Sequence, residues 1–341
     1  MVLLNDIKGQ DNALRYLRNS LSAGRIANGY LFVGPLGVGK ATAAKGFLME
    51  LMCGVPGKGA CGECAVCRRV DALNHPDIMW IKPEKAKRIR IGEIRKAKDM
   101  LSLKPYESSV SACVIEDAHL LTREAANALL KVLEEPPGRA LVVLISGKRE
   151  LLLPTVISRC MEVRFHLLSA DETRNILLER SDINAEDARF LANFSGGSPG
   201  RAIAMAAGNI QARKKEISKL LDAIAAEEDP FLMAWDREDR TGILEDLEFL
   251  IMFLRDAAAA RPLVGSADPV FFDKYSTGEI YDILGRLIDL KRALEGNVNP
   301  KLVAPVLPGI LGRDQGSSLD KIPSAAEGLG TGGPRVKRAE N

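Results

Sequence analysis

Four groups of residues in this 341-residue chain have the types and spacing that do chemistry. The first is Gly34-Pro-Leu-Gly37-Val-Gly39-Lys40, a glycine-rich loop. Backbone N–H groups at a helix start attract anions, and a lysine there can neutralise a polyphosphate. The final position of such loops, where a Ser or Thr hydroxyl holds Mg²⁺, is Ala41. Thr42 follows, but one step along a helix turns a side chain by about 100°, away from the metal side. The sequence therefore predicts nucleotide contacts from Gly34, Gly37, Gly39, Lys40, Ala41 and Thr42, with part of the chemistry gone. A relic pocket that turns nothing over is equally compatible with it.

The second group is Glu116-Asp117, at the end of an apolar run. A metal-holding acid must reach its ion from a strand tip. The usual order is Asp then Glu, and here it is reversed. Strand alternation sends neighbouring side chains to opposite faces, so the longer acid is expected toward the metal and the shorter one at the water-activating place. Together with Ala41 this speaks against efficient hydrolysis and puts Mg²⁺ in question. An acidic strand end without a role is the plain alternative.

The third group is Cys53, Cys61, Cys64 and Cys67, four of the six cysteines, spaced Cys-x7-Cys-x2-Cys-x2-Cys. Four thiolates around one ion match the tetrahedral all-sulfur site of structural zinc. Lys58, Arg68 and Arg69 would offset its negative charge. An iron–sulfur cluster is the runner-up, and free thiols come third. Such a site is closed and structural, because four protein ligands leave no open position.

The fourth group is basic. Arg159, in Ser158-Arg159-Cys160, follows a turn at Pro154; Arg201 follows Gly196-Gly-Ser-Pro-Gly200 at a helix start. On spacing alone Arg159 reads as a surface salt bridge, and Arg201 as a solvated helix residue or one that reaches a phosphate. Lys82 to Lys98 holds eight Lys or Arg against two Glu. That stripe fits a phosphate backbone and a solvated helix face equally well, and no aromatic residue interleaves with it. The three histidines, His75, His119 and His166, show no metal spacing and no nucleophile partner. Cys113 reads as a small buried core residue.

These residues need elements to position them. Residues 29–33 are a short apolar strand running into the loop, and a helix from Gly39 to about Met52 leaves it. Ile78–Ile81, Ser111–Glu116 and Ala140–Ser146 read as strands, the last two as continuous apolar runs typical of buried parallel strands. Helical periodicity covers 9–24 and Arg123–Glu135, the latter stopped by Pro136-Pro137. Strands alternating with helices predict a doubly wound α/β domain. From about residue 167 no further strand is expected: three short helices cover 170–207, and helical spacing continues to Leu311. The last thirty residues, rich in Gly, Ser, Pro and charge, are expected to be a disordered tail. A hydrophobic content of 46%, a charged content of 27% and a net charge of +2 are ordinary for a globular chain. No apolar run nears the ~18 residues of a membrane span and no secretory signal is visible, so a cytoplasmic location is expected.

Taken together the motifs resemble the clamp-loader branch of the AAA+ family. The string Ala125-Ala-Asn-Ala-Leu-Leu-Lys-Val-Leu-Glu-Glu-Pro-Pro137 carries the resemblance furthest, with Ser158-Arg159-Cys160, Leu103-Lys-Pro-Tyr-Glu107 and the cysteine knuckle after the first loop helix. It is strong over residues 1 to about 210 and weaker beyond, where Asn297-Val-Asn-Pro-Lys301 is similar to a helical collar. The resemblance implies an AAA+ P-loop domain with a parallel sheet and zinc knuckle (1–167, knuckle 53–67). It also implies a three-helix lid (168–210), an all-α oligomerisation collar (211–312) and a tail (313–341). It makes Ser146 the sensor 1 residue, where Thr or Asn is more common, Arg201 the sensor 2 residue, and Arg159 an arginine finger acting in trans. Among clamp-loader subunits, gamma/tau motors have an intact loop and Asp-Glu order, whereas delta-prime-type subunits carry degraded nucleotide motifs and keep the finger. Ala41 and Glu116-Asp117 are similar to the second kind, although Lys40 leaves ATP or ADP binding open. The implied partners are gamma/tau and delta subunits in a pentameric arc, and through it the sliding clamp and primed DNA. A motor ATPase, a pure scaffold and a stand-alone DNA-binding protein remain as rivals.

Overall fold

The computed structural model describes residues 1–55, 59–83, 88–208, 210–225, 240–260, 274–296, 299–300 and 303–311. Lys58 of the knuckle loop, Lys85 and Lys87 of the basic stripe, most of the 297–301 string and the expected tail 313–341 lie outside them. The chain divides into two compact units, 1–208 and 209–341.

The first unit is a three-layer α/β structure. Its strands are β1 (Gly29–Val33), β2 (Ile78–Ile81), β3 (Ser111–Ile115), β4 (Ala140–Ser146) and β5 (Met161–Arg164), all parallel in the order β2-β3-β4-β1-β5. The helices are α1 (Asp11–Ser22), α2 (Lys40–Met52), α3 (Ala65–Asp71), α4 (Ile91–Ser102), α5 (Arg123–Glu134) and α6 (Pro154–Ile157). A parallel sheet is covered on both sides, so its strands are apolar on both faces. Tyr30, Phe32, Ala112, Val114, Leu141 and Val143 enter one core with Leu14, Leu17 and Phe47 of α1 and α2. The alternate residues Leu31, Val33, Cys113, Ile115, Val142 and Leu144 enter the other with Ile94, Leu101, Leu129 and Val132 of α4 and α5. Each fully buried Phe or Leu contributes about 2 kcal/mol relative to exposure.

The expected α/β class with a parallel sheet is the one observed. β5 was not expected, and its composition explains why: only Val163 is buried along Met-Glu-Val-Arg, so the strand has no apolar run. It is an edge strand held by its register with β1, Phe32 opposite Val163. α4 buries Ile94, Ala97 and Leu101 and exposes Arg95, Lys96 and Lys98, which gives those members of the basic stripe a solvated face.

Three short helices complete this unit: α7 (Ala170–Arg180), α8 (Ala185–Phe194) and α9 (Pro199–Ala206). Each starts on a side-chain cap, at Ser169, Asn184 and Ser198. The second unit is helical over Ile210–Ala225, Arg240–Ala260, Thr277–Glu295 and Val303–Leu311. Its core includes Leu247, Leu250, Leu254, Ile280, Ile283, Leu287 and Leu294. Among the described residues no helix is long and apolar enough to cross a membrane.

Candidate functional site

The glycine loop lies between β1 and α2, as the phosphate-loop reading requires. Gly34 has φ of 149°, and a Cβ there would sit 2.3 Å from the Phe165 carbonyl oxygen. Gly37 has φ of 75°, and its Cβ would sit 2.2 Å from Ser198 Oγ. The first glycine lets the loop turn against the strap after β5, and the second lets the start of α9 approach it. That approach is bonded: Gly200 N–H donates to Gly37 O at 2.8 Å, and Ser198 Oγ donates to Leu36 O at 2.9 Å. Buried Gln10, which sequence reading missed, closes the third side. Its amide donates to Val38 O at 3.3 Å and His166 O at 2.7 Å, and its carbonyl accepts from His166 N–H at 3.0 Å. A glutamine ahead of an amphipathic helix carries no motif, so no signal in the sequence singles it out.

A cavity of about 250 Å³ opens under the loop. Gly37, Gly39, Lys40, Ala41, Thr42, Glu116 and Asp117 line its polar end. Ile7, Leu168, Ile176, Pro199 and Ile203 form an apolar wall, with Lys8, Glu179 and Arg180 at its rim. Gly34, Ser146 and Arg201 are not among the lining residues. Arg201 instead places its guanidinium 5.6 Å from the Phe194 ring centroid. Ser146 is fully buried at the end of β4; its hydroxyl shares a 3.3 Å hydrogen bond with His119 Nδ1 and accepts the Lys148 N–H at 3.1 Å.

Lys40 turns its ammonium onto the loop itself, donating to Gly34 O at 2.6 Å and to Pro35 O. Burial pulls its pKa down to about 8, and the nearby Asp117 carboxylate opposes that fall. The two acids behave unlike the strand-alternation expectation. β3 ends at Ile115, and Asp117 adopts a left-handed conformation with φ of 48°. Alternation therefore stops before it applies, and Asp117 is the acid that faces Lys40. Glu116 turns to β2: its Oε1 accepts the Trp80 indole N–H at 2.7 Å, and its Oε2 lies 3.7 Å from Lys82 Nζ. With Ala41 lacking a hydroxyl and Glu116 engaged elsewhere, this donor set does not fit a magnesium ion, which takes near-octahedral oxygen ligands.

The cysteine cluster is different. Cys53 caps the C-terminus of α2, Cys64 caps the N-terminus of α3, and Cys67 is buried one turn into it. All four Sγ atoms lie within 4.8 Å of one another, with Cys53–Cys61 at 3.7 Å, Cys53–Cys64 at 3.9 Å and Cys61–Cys67 at 4.0 Å. A tetrahedron with metal–sulfur bonds of about 2.3 Å has edges of about 3.8 Å, so these residues could hold a metal ion. Backbone N–H groups of Cys64 and Cys67 donate to Cys61 Sγ and Cys64 Sγ, both at 3.4 Å. N–H donors from the 61–64 turn pull the Cys61 thiol down to about 6, toward the thiolate that a metal needs.

Arg159 stands at a half-exposed corner made by α5, α6 and the start of β1. Its Nη1 donates to Thr155 O at 3.1 Å and Ser158 Oγ at 3.3 Å, and its Nη2 pairs with Glu134 Oε1. A Cβ at Gly29 would meet Leu133 Cδ2 at 2.8 Å and the Arg159 carbonyl oxygen at 3.1 Å, so the corner is tightly packed.

The sequence over residues 9–169 matches the family model described as DNA polymerase III, delta subunit. The DNA polymerase III subunit delta' of Bacillus subtilis is 34% identical over 186 residues, covering 54% of this chain and 56% of the relative. The subunit of the same name from Pseudomonas aeruginosa is 37% identical over 176 residues, covering 51% and 54%. The tau/gamma subunit of Haemophilus influenzae is 36% identical over 171 residues, covering 50% of this chain and 24% of that one. The chain thus spans about half the length of the delta' relatives it matches. Over residues 9–169 the chain is thus similar to a DNA polymerase III subunit family and to subunits named delta' and tau/gamma.

Proposed function

We propose that this chain works as a delta-prime-type stator in a clamp loader of a replicative DNA polymerase. Its Arg159 serves a nucleotide held by a neighbouring gamma/tau subunit, and its own pocket does not drive turnover. The observation that carries the reading is the pairing of a pocket short of metal donors with an arginine presented at a packed, partly exposed corner. An arginine supplied in trans stabilises the charge that develops on a transferring phosphoryl group. In this reading the partners are gamma/tau and delta subunits, and through the assembly the sliding clamp and primed DNA. The four cysteines hold Zn²⁺, which fixes the segment between α2 and α3 and takes no part in the reaction.

The test is reconstitution of the loader with Arg159→Ala. The variant is expected to fold and assemble, and to lower DNA-stimulated ATP hydrolysis by roughly 10³-fold at the site it completes. Unchanged turnover in that assembly removes the finger role. The second reading is a gamma/tau-like motor, favoured by the retained Lys40 and by the similarity to the tau/gamma subunit. Brisk ATP hydrolysis by the chain alone, lost in Lys40→Ala, would establish it instead.

A further inference from the structure

We propose that the cavity of the first unit holds a nucleotide as its metal-free polyphosphate, gripped by Lys40 and the N–H end of α2. The inference rests on reading that cavity as a nucleotide pocket, and it names the form of the ligand. Three features on different elements point to it. The Lys40 ammonium sits among oxygen atoms, 2.6 Å from Gly34 O, and phosphate oxygens would take the place of those carbonyls. At the second position of α2 the side chain is the methyl of Ala41, which offers no hydroxyl, and Thr42 follows about 100° further round the helix. At the strand tip the Glu116 carboxylate is turned onto β2, with the Trp80 indole N–H on one oxygen at 2.7 Å and Lys82 near the other.

A P-loop magnesium ion is normally held by one hydroxyl and one strand-tip carboxylate besides the phosphates. Here the first is missing from the covalent structure and the second is bonded elsewhere. Asp117 is the acid beside Lys40, and its carboxylate offsets the lysine charge that phosphate needs. The phosphate-holding parts do not depend on the cation. The backbone N–H groups at the start of α2 and the lysine ammonium are intact, and the apolar wall of Ile7, Leu168, Ile176, Pro199 and Ile203 offers a slot for a base.

The consequence is a reversed response to magnesium. In a metal-dependent pocket, added Mg²⁺ tightens binding. In this one Mg²⁺ competes for the phosphates in solution, and of the two usual protein donors the hydroxyl is absent and the Glu116 carboxylate is bonded to Trp80, while Asp117 lies beside Lys40. The experiment is calorimetric titration of the full chain with ADP, and separately ATP, in excess EDTA and in excess Mg²⁺. Binding is expected in EDTA, weakened severalfold by Mg²⁺, and reduced about tenfold or more in either buffer by Lys40→Ala, the scale of a lost charge-assisted hydrogen bond. Binding that requires Mg²⁺, or tightens tenfold with it, overturns the metal-free form while leaving the nucleotide pocket standing. Failure of both nucleotides to bind in both buffers overturns the pocket reading itself. The double variant Ala41→Ser with Trp80→Phe restores a hydroxyl and releases Glu116, so Mg²⁺ should now tighten binding about tenfold. A double variant whose binding Mg²⁺ does not tighten assigns the effect to something other than these two residues and overturns the account.

Discussion

The cysteine knuckle and the loop pocket both gather groups that can bind a cation, and only the first offers four matched donors around one point. The difference lies in where the ligands come from. The knuckle takes all four sulfurs from residues 53–67, on the end of one helix, one turn and the start of the next. Local backbone geometry sets their spacing, so the donor set survives as long as that segment keeps its sequence. The pocket draws its groups from a loop, two strand tips and the helices α7 and α9, each of which packs against something else. Ala41 offers no hydroxyl and Glu116 is hydrogen-bonded to Trp80, while the loop, strand and helix around them are in place.

The sharpest way to break this contrast is to attack the knuckle. Cys64→Ser removes one ligand sulfur and the sulfur that caps α3. The purified variant is expected to lose its metal and to unfold with a loss on the order of 4 kcal/mol, since binding energy at such sites is folding energy. Metal content by atomic emission and chemical denaturation with and without chelator measure both. A stripped wild-type chain with an unmoved midpoint would mean that the backbone alone sustains the segment.

The pocket side responds to Gly37→Ala. The backbone at φ of 75° disfavours any side chain, and the new Cβ overlaps Ser198 Oγ at 2.2 Å. The expected cost is about 1–3 kcal/mol. The Gly200–Gly37 and Ser198–Leu36 hydrogen bonds should open, seen as faster amide exchange at Gly200. Retained protection there would mean that the start of α9 is not fastened through this loop.

A third test probes the joint between the knuckle helix and the edge of the sheet. Buried Asp77, just before β2, accepts N–H bonds from Tyr106, Glu107 and Ser108, the last two at 3.0 and 2.8 Å. Glu107 in turn pairs with His75 at 3.1 Å and with Arg69 of the knuckle helix α3. Desolvation pushes the Asp77 pKa up, but the three N–H donors outweigh it and the net shift is downward. The folded pKa is therefore below the unfolded one, near 3.9. The stabilisation is fully present above that value and is lost as pH falls through the folded pKa. Asp77→Asn should flatten this acid limb below about pH 5, measured as unfolding free energy against pH. An unchanged acid limb would place the titrating group elsewhere.

How much of this was legible beforehand follows the same division. The α/β class, the strands at 29–33, 78–81 and 140–146, and the four-cysteine set were readable because each is written in one continuous stretch of sequence. β5 was not, since an edge strand with one buried residue leaves no apolar pattern. Gln10 and the turn of Glu116 toward Trp80 were not readable either, because both depend on which elements the tertiary fold brings together. The reversed acid pair was noticed, but assigning faces by alternation failed once the strand ended before Asp117. Glu134, fixed on Arg159, sits inside a string that marks the family without revealing which of its residues touches the arginine.

Glu134 gives the smallest and most specific effect. As half-exposed partners, Glu134 and Arg159 contribute less than about 1 kcal/mol to stability, so Glu134→Gln should leave the melting temperature nearly unchanged. Its consequence lies in geometry: with the carboxylate gone, the guanidinium keeps only its neutral contacts to Thr155 O and Ser158 Oγ, and its position at the corner broadens. If Arg159 acts on a neighbour's nucleotide, the reconstituted loader with Glu134→Gln should turn over severalfold more slowly, with kcat lowered and KM for ATP held. In an Arg159→Ala background the same substitution should add nothing, because a positioning residue has no effect once the group it positions is absent. Additive losses in that double-mutant cycle would give Glu134 a role independent of the arginine. A faster enzyme would mean that the ion pair holds the finger back and must break before the neighbouring site is completed.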